Sequence, residues 1–138
     1  FDDAGSRYDA DGNLKEWWTP DDRAAYESRT DLIVRQYEAY EPLSGQRING
    51  KLTLGENIGD IGGIKLAWAA FQRMLERKGR PAPIDGYSAE QRFFLGLAQS
   101  WRNKIRDEAL RVRLNIDPHS PSTYRVLGPL SNMPEFHA

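Results

Sequence analysis

The 138-residue chain has no cysteine, only two histidines (His119 and His137), and no Asn-x-Ser/Thr triplet at any asparagine. Disulfide staples, cysteine-based zinc knuckles, thiol catalysis and N-linked glycans are therefore excluded for these residues. No apolar run is long enough to span a bilayer and nothing resembles a signal peptide, so this segment is expected to make no membrane contact. A surplus of either charge is also lacking. Lys and Arg number 19 against 20 Asp and Glu, dispersed along the chain, for a formal net charge of −1. Such a balance leaves no electrostatic footprint for a nucleic-acid partner. Period-2 alternation of useful length is missing too, which argues against a sheet.

What is present is helical patterning. Thr19-Pro20-Asp21-Asp22 combines an N-cap hydroxyl, a proline at the first helical position and two acids on the positive end of the dipole. It predicts a helix over 20–40, with Tyr26, Ile33, Tyr37 and Tyr40 facing the core. A second helix is expected over 54–78, ended by Gly79 and Pro81, with Ile61, Ile64, Trp68, Phe71 and Leu75 as its buried stripe. Ser88-Ala89-Glu90-Gln91 is a capping box that opens a third helix over 88–106, with Phe94, Leu97, Ala98, Trp101 and Ile105 inward. Ser120-Pro121 reads as the N-cap and first residue of a fourth, 120–128. Residues 107–115 fit helix or extended chain. Residues 41–52 read as an irregular loop, because the flanks of Asn49-Gly50 do not alternate as a hairpin's would. Asp9-Ala10-Asp11-Gly12-Asn13 resembles a calcium loop, but Leu14 and Pro20 stand where such a loop needs Gly and Glu, so a turn is expected. The fold class is mainly α.

The densest chemistry lies in Leu54-Gly55-Glu56-Asn57-Ile58-Gly59-Asp60-Ile61-Gly62-Gly63. On a helix, Glu56 and Asp60 share a face, about 6 Å apart along the axis. Spacing alone leaves two readings open. Glu56 completes a Thr53-Leu54-Gly55-Glu56 capping box, or it is a metal ligand; Asp60 is a solvated helix acid, or the partner of a ligand. Gly59, Gly62 and Gly63 each cost a helix interior roughly 1 kcal/mol, which suggests a close approach by another backbone. His119 by position is a helix-entrance residue, Asp2 and Asp3 are loop or helix-end acids, and Arg125 is a solvated charge.

Five motifs, in order and over nearly the whole chain, resemble the C-terminal part of the catalytic domain of neprilysin-like (zincin) zinc metallopeptidases. They are Phe1-Asp2-Asp3, Trp17-Trp18-Thr19, Ile48-Asn49-Gly50, Gly55-Glu56-Asn57-Ile58-Gly59-Asp60 and His119-Ser120-Pro121 followed by Tyr124-Arg125. The resemblance implies one partial domain spanning 1–138 and one zinc ion in the intact parent. Glu56 is then the third zinc ligand, and Asp60 orients a ligand histidine. His119 is the donor to the oxyanion, with Asp117 as its orienting carboxylate. Arg125 binds the substrate backbone carbonyl. Trp101, 18 positions before His119, lines the pocket for the residue after the scissile bond, where Ser100 replaces a larger apolar neighbour. Oligopeptides cleaved on the amino side of large apolar residues are the implied substrates.

The family's other two ligands and its catalytic glutamate lie on a helix reading H-E-x-x-H, which precedes the equivalent of Phe1-Asp2-Asp3, with a sheet further upstream. No H-E-x-x-H occurs here. A catalytic zinc needs three protein ligands and an open position, so the chain reads as a fragment of a peptidase, inactive alone and a weak zinc binder. The absence of cysteines and sequons points to a bacterial member; it leaves the compartment open, with a periplasmic or secreted one favoured over the cytoplasm. Apolar surface left without its cover suggests a homo-oligomer through the 54–63 flank. Two other classes compete: a non-catalytic helical interaction module, and a degenerate zinc domain using Glu56, Asp60 and His119, which lacks a close His pair.

Overall fold

A computed structural model of the chain describes residues 4–137. Asp2 and Asp3 lie outside the described residues. A 3-10 turn, Gly5–Arg7, precedes six helices: α1 Pro20–Glu38, α2 Leu54–Lys78, α3 Ala89–Ser100, α4 Asp107–Ile116, α5 Ser122–Leu130 and α6 Pro134–His137. Among the described residues there is no extended strand, only isolated bridges closing turns at Tyr8/Leu14, Leu43/Gln46 and Ile84/Tyr87. The fold is mainly α, as the periodicity requires. Two compact units emerge, one running up to Gly59 together with Ile105–Pro121, the other Asp60–Lys104 together with Ser122 onward.

In the first unit, the Asp9 segment is a turn. Asp9 Oδ1 accepts from the backbone N–H groups of Asp11 (3.0 Å) and Asn13 (2.9 Å), and Gly12 takes φ +81°. The start of α1 is a complete capping box between Thr19 and Asp22. Its buried residues are Thr30, Val34 and Tyr37, so the stripe is rotated from the expected one and Ile33, Tyr26 and Tyr40 are only half-buried. Val34 goes under because the loop after α1 packs there. A Cβ on Gly50 would collide with the Val34 carbonyl oxygen, so only glycine permits that approach.

In the second unit, Ile64, Phe94, Val126, Leu130 and Met133 form the core, with Trp68, Phe93, Leu97 and Trp101 packed against it. Each such side chain contributes roughly 1.5–3 kcal/mol on burial. The Trp68 and Phe94 rings stack at 4.8 Å. Gly79, at φ +84° with its N–H on the Leu75 carbonyl (2.8 Å), ends α2 where the sequence places it. The third helix is shorter than expected and Ala98 is exposed. It stops at Ser100, whose hydroxyl turns back to the Leu97 carbonyl (2.7 Å), and Trp101 becomes the C-cap. The following Asn103 instead donates to the Ser122 hydroxyl (2.6 Å). Residues 107–116 are helical. The fifth helix starts at Ser122, later than expected, because the Ser120 hydroxyl is engaged elsewhere. No helix among the described residues is long and apolar enough to cross a membrane.

Candidate active-site residues

In the first unit, the approach to α2 is built from side chains closing on their own backbone. Asn49 Oδ1 accepts from the Leu52 N–H (3.0 Å), and the Asn49 carbonyl accepts from the Thr53 hydroxyl (3.0 Å). Thr53 Oγ1 accepts in turn from the Asn57 amide (2.9 Å), one helical turn on. Asn57, fully buried, accepts from the Ser120 hydroxyl (2.7 Å) across 63 positions of sequence. That bond fastens the loop after α4 to the first turn of α2.

Glu56 and His119 are the immediate neighbours of Asn57 and Ser120. Glu56 Oε2 lies 3.3 Å from His119 Nε2, and both side chains are more than two-fifths exposed. The other ring nitrogen, Nδ1, is 2.7 Å from Asp117 Oδ1, and the His119 backbone N–H donates to that same oxygen (3.0 Å). Asp117 is itself fixed as the C-cap of α4 through its N–H on the Arg113 carbonyl (2.8 Å). The backbone N–H of His119, and next its ring, hold the Asp117 carboxyl below the usual carboxylate range. A ring that donates Nδ1–H to a carboxylate can donate from Nε2 only when it carries both protons, and this geometry turns Nε2 outward toward Glu56. The three expected residues Glu56, Asp117 and His119 are thus brought together.

In the second unit, Asp60 meets Arg125. Nε donates to Oδ2 and Nη2 to Oδ1, each at 2.7 Å. The Arg125 and Asp60 side chains are only 13% and 14% exposed. The guanidinium carbon lies 4.2 Å from the centroid of the Trp101 ring. A fork of two parallel bonds plus a stacked aromatic face leaves the guanidinium little rotational freedom. The motifs contain Asp60 and Arg125, and the spacing to His119 singles out Trp101, but neither gives their pairing. They also assign no role to Asn57 or Ser120. The i, i+4 relation of Thr53 and Asn57 was a usable signal, since Asn is a poor helix former whose side chain seeks a nearby polar partner.

Gly59, Gly62 and Gly63 differ from expectation: a Cβ at any of them would meet nothing within 4 Å among the described residues. Nor does any group of three or more His, Asp or Glu converge among the described residues to hold a metal. A cavity of about 930 Å³ lined by Trp68, Phe94, Leu130 and Phe136 lies in the second unit, and none of the candidate residues lines it.

The sequence model of peptidase family M13 matches residues 1–138. Over 138 residues the chain is 45% identical to the endothelin-converting enzyme homolog of Locusta migratoria, covering 99% of this chain and 19% of that protein. Neprilysin-2 of Drosophila melanogaster is 44% identical, with 99% of this chain and 18% of that protein covered. Among solved structures, the Mycobacterium tuberculosis zinc metalloprotease Zmp1 in complex with inhibitor superposes with a TM-score of 0.86 at 45% identity, over 99% of this chain and 22% of that one. The chain belongs to peptidase family M13, the neprilysin family. It spans about a fifth of the length of these relatives.

Proposed function

We propose that this chain is the part of a zinc-dependent endopeptidase that supplies one metal ligand and the groups that stabilise and align the reacting peptide. The observation that carries the reading is the His119 ring, fixed by Asp117 on one nitrogen and facing Glu56 with the other. In a family M13 peptidase that juxtaposition has a use: a carboxylate ligand beside a neutralising donor. Glu56 is the ligand, completed by donors from elsewhere in the parent. Zinc, when bound, activates water and polarises the scissile carbonyl. His119, carrying protons on both ring nitrogens, donates from Nε2 to the oxyanion that develops on that carbonyl, with Asp117 holding the ring through Nδ1–H. Arg125, held in orientation by Asp60 and Trp101, binds a backbone carbonyl of the substrate, and Asp60 additionally orients a ligand histidine. Trp101 borders the pocket for a large apolar side chain. The parent acts outside the cytoplasm of a bacterium, on oligopeptides, and the 138-residue chain alone is inactive.

The competing reading, a non-catalytic helical interaction module, draws on the apolar cavity of the second unit but gives no role to the fixed histidine. In the full-length protein, Glu56→Ala should lose zinc by metal analysis. His119→Ala should keep zinc while turnover falls by about 10²–10³. Loss of metal in His119→Ala with metal and turnover intact in Glu56→Ala would refute the assignment. An H-E-x-x-H encoded just before Phe1 separates peptidase from module.

A further inference from the structure

We infer that Asn57 and Ser120 are positioning residues that set the distance between the Glu56 carboxylate and the His119 ring. The inference rests on the proposed role of His119 but goes beyond it. Each of the two belongs to a pair of consecutive residues, Glu56-Asn57 and His119-Ser120, and the two pairs come from segments 63 positions apart. Within each pair, one member is exposed and carries chemistry, while the other is buried and carries the joint. The Ser120 hydroxyl donates to Asn57 Oδ1 at 2.7 Å, and Asn57 Nδ2 donates to Thr53 Oγ1 at 2.9 Å. Thr53 donates to the Asn49 carbonyl at 3.0 Å. The three side chains are buried, with Asn57 at 0%, Thr53 at 3% and Ser120 at 3% exposure, so no bulk water competes for these bonds.

Asp117 fixes the rotation of the ring, because it binds both Nδ1 and the His119 backbone N–H. It lies two residues from His119 on the same loop and cannot register that loop against α2. The Ser120 to Asn57 bond does. Rotation and translation of the donor are thereby assigned to different residues. A donor that slips by about 1 Å can forfeit up to 10²-fold in rate even though it keeps its chemistry.

The test uses the full-length, zinc-loaded enzyme. Ser120→Ala removes one hydroxyl and no volume beyond it. It should lower kcat roughly tenfold while leaving KM and zinc content within about twofold. In a His119→Ala background the same change should cost nothing further, because the group it positions is gone. Asn57→Asp, which keeps the acceptor for Ser120, should retain more turnover than Asn57→Ala. The inference is overturned if Ser120→Ala lowers kcat equally with and without His119, if it releases zinc, or if it leaves kcat unchanged. If instead His119→Ala itself turns over normally, the proposed role of His119 is what fails. Should Asn57→Ala not fold, the Ser120 cycle decides alone.

Discussion

Two carboxylate-to-base pairs, one in each unit, begin from the first two turns of α2 and differ in almost every physical respect. Glu56 and His119 are more than two-fifths exposed and approach through one 3.3 Å contact. Asp60 and Arg125 are largely shielded and are locked by two bonds of 2.7 Å, with an indole stacked on the guanidinium. An exposed single contact is cheap to exchange for a ligand or substrate, because water can replace either partner. A shielded, bidentate pair is costly to break and holds its geometry. The lesson is a division of labour: the Glu56 to His119 pair is left wet and loosely joined, and its rigidity is supplied by buried neighbours.

Removing one side of the shielded pair should give the largest effect on stability. Asp60→Ala takes away the carboxylate that accepts both Arg125 bonds inside a low-dielectric site and should cost about 3 kcal/mol. For a chain of this size that lowers the melting temperature by roughly 10 °C. Glu56→Ala should shift it by no more than about 3 °C, since an exposed pair contributes about 0–1 kcal/mol. Equal shifts in differential scanning calorimetry would erase the contrast.

The acid limb of stability should report the Asp117 to His119 clasp. The folded-state Asp117 carboxyl is held below its ordinary value, so the ionised form is favoured on folding. That contribution is fully present above the unfolded value of about 4 and is lost as pH falls through the lower folded one. Asp117→Asn should therefore flatten the drop in melting temperature below about pH 4, the range in which the wild-type carboxylate takes up its proton. A mutant profile that falls as steeply as wild type would show that the clasp does not carry the dependence.

The smallest expected effect sits on the open face of α2. Gly62→Ala meets nothing within 4 Å among the described residues and should stabilise this chain by at most about 1 kcal/mol. In the full-length enzyme, where we propose that the H-E-x-x-H helix packs on that face, the same methyl should lower activity. A second copy of the chain covering the 54–63 flank is the other proposed occupant. Light scattering over a dilution series, with wild type associating more than Gly62→Ala, would support it, and monomer throughout would not.

Much of the helix layout was legible because its punctuation is local. Thr19-Pro20 and Ser88 to Gln91 open α1 and α3 as their capping chemistry requires, and Gly79 closes α2. The end of α3 was not legible, since nothing in the periodicity announces that the Ser100 hydroxyl will turn back on its own helix. The rotated stripe of α1 depends on the Gly50 approach, which comes from the loop beyond the helix and leaves no mark on the helix's own periodicity. At the candidate site, the resemblance singled out Glu56, Asp60, Asp117, His119 and Arg125. The contact of Asp117 with His119 was expected from it and is present, whereas the pairing of Asp60 with Arg125 was not. Asp60 and Arg125 are 65 positions apart, and only packing of the second unit brings them together.

The Asn49-Gly50 turn carries a consequence on a different clock. An asparagine followed by glycine ages chemically: the glycine N–H attacks the side-chain amide, ammonia leaves, and a ring forms that reopens with a longer backbone. Here the amide oxygen of Asn49 is held by the Leu52 N–H, and Gly50 lies so near the Val34 carbonyl oxygen that even a Cβ would collide, contacts that resist the rotation such a ring needs. Shelf life at that bond is therefore a slow meter of how often the turn lets go, and the deamidated fraction in an old sample counts its openings.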